Sequence, residues 1–190
     1  MYESIIKHYP DFPKPGIDFI DILPFLQNKV GFTKLIADID VLVTAPNVAT
    51  VEARGFLFAA PLLLASGKVQ SVIPIRKKGK LPFAEGDLRE VEIQKEYGSD
   101  QVFYRLSDIA AGVPSGDVFN ISFFDDILAT GGTALGIANA LLGEQIVLNG
   151  KTYKVRISEF IFLAELPALG GAKLLESIAP VHSFLKIDGE

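Results

Sequence analysis

Phe32, Leu35, Ile36 and Ile39 recur at three- and four-residue intervals, so residues 31–43 read as an amphipathic helix. Apolar runs of a different kind surround it. Residues 48–51 form a brief strand, and residues 69–75 a longer, buried one. Between them a helix follows Glu52-Ala53-Arg54-Gly55 and continues to about Ser66. Residues 76–98 are largely polar and predict a loop or hairpin. Further strands fall at 101–105, 119–124, 154–163 and 182–187, with helices at 133–142 and around 173–177. Residues 3–7 read as a short helix. Residues 9–25 are rich in proline, glycine and aromatics and show little periodicity, and residues 150–154 read as a turn. Strands alternating with helices predict an α/β fold: a mostly parallel sheet covered by helices on both faces. The handedness of its crossovers brings successive strand ends to one edge, where residues 52–55, 76–80 and 125–133 can converge. Asn120 and Ser122 interrupt a strand expected to be buried on both sides, so each is expected to find hydrogen-bond partners.

Composition narrows the class. The 190 residues suit a single domain, with 49% apolar and 22% charged positions. Cysteine is absent, which excludes disulfides, thiol nucleophiles and cysteine–zinc sites and fits a reducing cytoplasm. The N-terminus lacks the basic-then-apolar order of a signal peptide, and the longest apolar run, residues 55–65, is too short to cross a bilayer. A net charge of −5 argues against nucleic-acid binding, and against it Arg76-Lys77-Lys78-Gly79-Lys80 stands out as a basic cluster. His8 and His182 are far apart and are expected to lack carboxylate neighbours, so no histidine-based metal site or triad is expected.

The most informative stretch is Phe123-Phe124-Asp125-Asp126-Ile127-Leu128-Ala129-Thr130-Gly131-Gly132-Thr133-Ala134. An apolar strand meets two carboxylates, then small residues, then a helix. Ala129, Thr130, Gly131, Gly132 and Thr133 leave room for backbone N–H groups to close around an anion, and the helix N-terminus adds unsatisfied donors. Asp125 and Asp126, at a strand's carboxyl end, suit a sugar diol, whose hydroxyls make charge-assisted bonds to carboxylates. Phosphate beside an acid pair describes a ribose 5-phosphate. No Gly-Lys-Ser/Thr follows the glycines, and no Gly-x-Gly-x-x-Gly follows a strand.

Other constellations are weaker alone. Arg54 can offer a fork to phosphate, or be a surface arginine at a helix start. The basic cluster at 76–80 can hold an anion, or be a solvated turn. Lys95-Glu96-Tyr97-Gly98 places an acid within the polar stretch, and the prolines and aromatics of residues 11–22 can cover a flat ligand.

Residues 123–134 closely resemble the phosphoribosyl pyrophosphate (PRPP) signature of type I phosphoribosyltransferases. With Asp-Phe-Pro-x-Pro-Gly, Glu-Ala-Arg-Gly-Phe, Ile-Arg-Lys-Lys-Gly-Lys-Leu-Pro, Glu-Tyr-Gly-Ser-Asp and Glu-Leu-x-x-Leu-Gly-Gly, the whole of about 9–187 resembles the adenine phosphoribosyltransferase family. The resemblance implies the type I fold as a single domain, with an N-terminal hood over about 1–25 and a flexible catalytic loop over about 80–100. It implies transfer of phosphoribose from PRPP to adenine, giving AMP and pyrophosphate, with Mg²⁺ carried by PRPP rather than by protein ligands. It also implies a cytoplasmic homodimer without nucleic-acid or membrane partners.

Residue by residue, the resemblance puts residues 129–133 on the 5′-phosphate and Asp125 and Asp126 on the ribose. Glu52, Ala53, Arg54, Arg76, Lys77 and Lys80 fall to pyrophosphate. Asp18, Phe19, Arg54 and Ile127 fall to adenine, with Phe19 and Ile127 enclosing the ring. Glu96 is the implied acid for adenine N7, Arg54 its catalytic companion, and Tyr97 a loop residue. Ile20 departs from an arginine common in the family, and Ile93-Gln94-Lys95 from its Tyr-x-Leu pattern. Related readings of the same residues are an enzyme for xanthine or guanine, or a PRPP-sensing regulator.

Overall fold

The computed structural model describes residues 2–94 and 99–187, and among them an eight-stranded mixed sheet forms the centre. In chain order the elements are β1 (Lys7–Tyr9), β2 (Phe19–Asp21), a 3-10 turn (Leu23–Gln27), α1 (Lys29–Leu42), β3 (Asn47–Val51), α2 (Arg54–Ala65) and β4 (Ser71–Lys77). Next come β5 (Leu88–Gln94), β6 (Ser99–Arg105), α3 (Leu106–Ala110), β7 (Val118–Leu128), α4 (Gly132–Leu142) and β8 (Gln145–Leu148). The chain continues through β9 (Lys151–Glu165), a second 3-10 turn (Pro167–Leu169), α5 (Gly171–Leu175) and β10 (Val181–Lys186). The main sheet runs β10-β9-β7-β3-β4-β6-β5, with β8 beside β9. β10, β9, β7, β3 and β4 are mutually parallel, whereas β6, β5 and β8 pair antiparallel. The short pair β1–β2 forms a separate antiparallel ribbon.

Parallel strands buried on both faces need two cores, and the side chains divide accordingly. On one face Ile137, Ala138 and Leu141 of α4 pack with Ile73, Ile121, Phe123 and Phe160. On the other, Leu35 and Ile39 of α1 and Phe58 and Leu62 of α2 pack with Val48, Phe124 and Ile161, joined by Ile6, Ile20, Ile22 and Phe25 from the N-terminal segment.

The polar interruptions in β7 separate in their outcome. Ser122 donates to Glu159 and accepts from the Ala45 amide at 3.2 Å. Glu159 also accepts from the Thr44 amide at 2.9 Å and from the Thr44 hydroxyl. A register shift after Ile121, which pairs with Ile157 while Ser122 pairs with Glu159, brings this acid beside the turn before β3. Asn120 contributes its backbone carbonyl to Asn47, but its Oδ1 is buried without a partner among the described residues.

Residues 3–7 differ from the expected helix: turns occupy residues 3–5 and β1 begins at Lys7. Tertiary contacts decide this. The Tyr2 hydroxyl donates to Asp38, Ile6 is buried, and so short a helix carries its full nucleation cost. α3 and β8 are additions to the sequence reading, β5 pairs with β6 as the hairpin alternative for residues 76–98 has it, and β2 lies within the stretch that shows little periodicity. In β5, Val91 and Ile93 are buried while the intervening Glu92 is exposed. The β5–β6 hairpin is fastened to the end of α4, because Arg89 Nε at 3.1 Å and the Tyr104 hydroxyl at 2.8 Å both donate to Glu144 Oε1. Burial, then the Glu144 carboxylate, raises the Tyr104 phenol well above its ordinary pKa.

Candidate functional site

β7 extends to Leu128, so Asp125 and Asp126 lie within its last turns of pleat and point to opposite sides. Directly afterwards the chain bends at Gly131, the N-cap of α4, with φ of +79°. A side chain there would be strained, and its Cβ would stand 3.0 Å from the carbonyl oxygen of Gly171. Gly171 is tighter still: a Cβ would meet Ala129 O at 2.2 Å and Gly131 N at 2.9 Å. The 129–133 turn is therefore seated on the backbone at the start of α5, which accounts for glycine at 171, while Gly170 supplies the left-handed turn before it, with φ of +71°. A pocket of about 100 Å³ opens here, lined by Asp125, Ile127, Phe162 and residues 128–134.

Of the longer helices among the described residues, only α1 is capped by a side chain. Asn28 caps α1 by accepting from Gly31 N at 2.9 Å. Neither α2 nor α4 has a side-chain cap. Both leave N-terminal backbone donors for another partner, and the dipole makes an anion the favoured one. α2 also begins with a cation, Arg54, at the end of a helix where the dipole disfavours positive charge. The compensation is Asp126, only 6% exposed, whose Oδ2 lies 2.6 Å from Arg54 Nε. Gly55 lets α2 approach: a Cβ on it would lie 2.3 Å from Thr50 Oγ1 and 3.5 Å from Asp125 Oδ1.

The acid pair is electrostatically unequal. Burial, then the adjoining Asp126 carboxylate, pushes the Asp125 carboxyl well above the usual range. The Asp126 amide, which donates to Asp125 Oδ1 at 2.9 Å, and Arg54 oppose that shift without cancelling it.

Glu52 organises the basic cluster. Its Oε2 accepts from Arg76 Nε at 2.8 Å and its Oε1 from the Lys77 amide at 2.6 Å. Arg76 Nη1 donates in turn to Lys80 O at 2.9 Å. Lys77, Lys78 and Lys80 remain exposed. The Glu52–Ala53 peptide is cis. Burial raises the Glu52 carboxyl, but the Lys77 amide, Arg76 and Lys80 outweigh it and hold the group below its ordinary value of 4.5. A folded-state pKa below the unfolded one contributes stability above pH 4.5 that disappears as pH falls. Glu52→Gln is accordingly expected to flatten the loss of stability between about pH 6 and pH 3, read from urea midpoints at each pH. An acid limb as steep as the parent's would show that Glu52 gains nothing from this cluster.

The N-terminal segment supplies an aromatic wall. Phe19 is half-buried beneath the Arg54 guanidinium, 5.7 Å from its ring centroid, and meets Phe12 edge-on at 5.2 Å. Ile20 is 3% exposed and belongs to the core beside α1 and α2, so an apolar residue fits where an arginine is common. Asp18 is exposed and its Oδ2 lies 2.6 Å from His8 Nδ1. The expectation that His8 has no acidic neighbour is thus corrected: antiparallel pairing of β1 with β2 brings a carboxylate ten residues away alongside it.

Of the residues singled out in sequence, Asp125, Ile127 and residues 129–133 line one pocket. Asp126, Arg54 and Phe19 are joined by direct contacts, and Glu52, Arg76, Lys77 and Lys80 form a second group at the ends of β3 and β4. Ala53 is the N-cap of α2. Glu96 and Tyr97 lie outside the described residues. Gly171 and His8 were not among the expected site residues; the paired glycines at 170–171 were the one signal for the former.

A mostly parallel sheet with an acid pair and a glycine-turned helix at the end of β7 is the arrangement expected of a type I phosphoribosyltransferase. No family model matches the chain. Among curated relatives, the adenine phosphoribosyltransferase of Pelodictyon phaeoclathratiforme is 36% identical, over 99% of this chain and 98% of that protein. Among solved structures, adenine phosphoribosyltransferase from Thermoanaerobacter pseudethanolicus superposes with a TM-score of 0.80 at 33% identity, covering 98% of each chain. That from Saccharomyces cerevisiae, in complex with D-2,5-dideoxy-2,5-imino-altritol 1,6-bisphosphate and adenine, gives 0.76 at 32% identity, covering 96% of each. The chain belongs to the adenine phosphoribosyltransferase family.

Proposed function

We propose that this protein transfers the 5-phosphoribosyl group of PRPP to adenine, yielding AMP and pyrophosphate. The observation that carries the reading is the Gly131 turn seated on Gly171, beside an acid pair of which one member is held by Arg54. The yeast relative, solved with adenine and a bisphosphorylated iminoalditol, supports it.

We propose a division of labour that the resemblance implies and that the geometry of the described residues supports. Residues 129–133 and the start of α4 take the 5′-phosphate on backbone donors. Asp125 and Asp126 take the ribose hydroxyls. A carboxyl pushed upward, like that of Asp125, can donate as well as accept. Breaking the C1–oxygen bond builds oxocarbenium character, as in glycoside chemistry, and leaves charge on pyrophosphate. Arg54, Arg76, Lys77 and Lys80 face that charge, with Glu52 and the backbone at Ala53 holding the cluster in place. Adenine lies between Phe19 and Ile127, with backbone at Asp18 and Arg54 on its edge. Glu96 is the acid for N7, and Tyr97 accompanies it. Mg²⁺ keeps water and substrate phosphate ligands and is read as arriving with PRPP; among the described residues no cluster of three or more carboxylates or histidines is placed to hold it, which fits an ion carried by the substrate. When bound, the ion stabilises charge on the leaving group. That it works as a cytoplasmic homodimer is part of the same proposal, carried by the resemblance alone. Among the described residues no helix is long and apolar enough to cross a membrane.

A purine panel with PRPP tests the reading. Adenine is expected to exceed hypoxanthine, guanine and xanthine in kcat/KM by at least about tenfold, equivalent to about 1.4 kcal/mol. Preference for an oxo-purine would transfer the chain to another purine substrate, and binding without turnover would make it a PRPP sensor. Glu96→Gln is expected to lower the single-turnover rate by about 10²-fold while changing PRPP affinity only a few-fold. A chemical step within a few-fold of the parent would remove Glu96 from proton transfer.

A further inference from the structure

The N-terminal segment that carries the aromatic wall has little to hold it. Ile6 and Ile20 are buried, but every residue from 7 to 18 is exposed. The ribbon pairs Lys7 with Asp21, His8 with Ile20 and Tyr9 with Phe19, and a two-stranded ribbon of this length is marginal on its own. The intervening loop closes on itself, with Phe12 N donating to Ile17 O at 3.1 Å and Gly16 N to Asp11 Oδ1 at 2.7 Å. These bonds shape the loop without fixing where Asp18 lies. His8 does that. Its Nδ1 stands 2.6 Å from Asp18 Oδ2, and because a carboxylate accepts, Nδ1 donates. The next residue, Phe19, carries the ring under Arg54, and Arg54 pairs with Asp126. One line of contacts thus runs from β1 to the acid pair.

We infer that His8 is a positioning residue for the purine: through the Asp18 carboxylate it pre-sets the Asp18 backbone and the Phe19 ring in the arrangement that receives the base. The inference rests on the adenine reading above. Both side chains are about half exposed, so the bond contributes little to folding, and its effect falls on the ordering that base binding would otherwise require.

Steady-state kinetics with each substrate varied in turn test this. His8→Ala is expected to raise the adenine KM about three- to fivefold, the size an exposed ion pair supports. The kcat and the PRPP KM should stay within about 1.5-fold, the pattern of lost uniform binding to one substrate. His8→Asn places an amide donor where Nδ1 stands and should recover most of the adenine KM. Lys7→Ala, on the same strand, should leave all three parameters unchanged. An unchanged adenine KM in His8→Ala overturns the inference. So does a matching rise in the PRPP KM, a His8→Asn variant as impaired as His8→Ala, or an equal effect from Lys7→Ala. Failure of the parent on adenine would instead overturn the substrate reading itself.

Discussion

Replacing Gly131 with valine is expected to reduce PRPP affinity by at least about 10³-fold in a protein that still folds. Three costs combine. A left-handed backbone disfavours an L-residue by about 1–2 kcal/mol, and more for a β-branched one. The new Cβ would stand 3.0 Å from Gly171 O and 3.1 Å from Gly171 Cα, both backbone atoms that a rotamer change cannot move aside. Any relief by shifting the turn withdraws its N–H groups from the phosphate, and hydrogen bonds to a charged group contribute about 1.5–3 kcal/mol each. The fold is expected to persist because Ile137, Ala138 and Leu141 anchor α4 by a face remote from the turn. Calorimetric titration of PRPP into the folded variant measures the effect. Gly116→Ala supplies the contrast: its φ is also positive, at +64°, but nothing lies within 4 Å of the added atom. It should carry the backbone cost in stability and bind PRPP normally. Near-parental affinity in Gly131→Val would take the turn out of the phosphate site.

This turn was legible in the sequence because its chemistry is contiguous. Strand, acids, small residues and helix follow one another within residues 123–134, so local rules suffice. What lies against it was not legible. Gly171 acts through a backbone approach to Ala129 and Gly131, forty residues away, and no local pattern states that distance. β5 was hidden for another reason. Val91 and Ile93 alternate correctly, but Arg89, Glu90 and Glu92 around them make the segment read as a polar loop or hairpin with no strand bounds. Glu90 and Glu92 face outward, while Arg89, on the face of Val91 and Ile93, is spent on Glu144, a contact made only once the hairpin has docked on α4. His8 shows the same limit: its carboxylate partner is supplied by strand pairing, not by its neighbours in the chain. The helix expected at residues 3–7 failed because Tyr2 and Ile6 gain more from α1 and the core than a single helical turn provides.

Arg54→Ala is expected to lower kcat/KM by about 10³-fold, at the upper end of what loss of one charged transition-state donor costs. The residue joins three parts of the site. It pairs with Asp126 at 2.6 Å, lies over the Phe19 ring at 5.7 Å and opens α2 beside the basic cluster. Its removal leaves Asp126 buried without a counter-charge and ends the downward pull on Asp125, whose carboxyl is already pushed up. The proton affinity of Asp125 must then rise further. The acid limb of the pH–rate profile is expected to move to higher pH, because a more basic Asp125 needs less acid to be protonated. Arg54→Lys keeps the charge but not the planar fork, and should retain more activity than alanine without matching the parent. The double variant Arg54→Ala, Asp126→Asn separates structure from chemistry. Neutralising Asp126 removes the unpaired buried charge, so stability should recover relative to Arg54→Ala alone, while kcat/KM stays low because the cation facing pyrophosphate is still missing. If the double variant regained activity in step with stability, Arg54 would serve only to balance Asp126, and the cations at 76–80 would carry the leaving group without it.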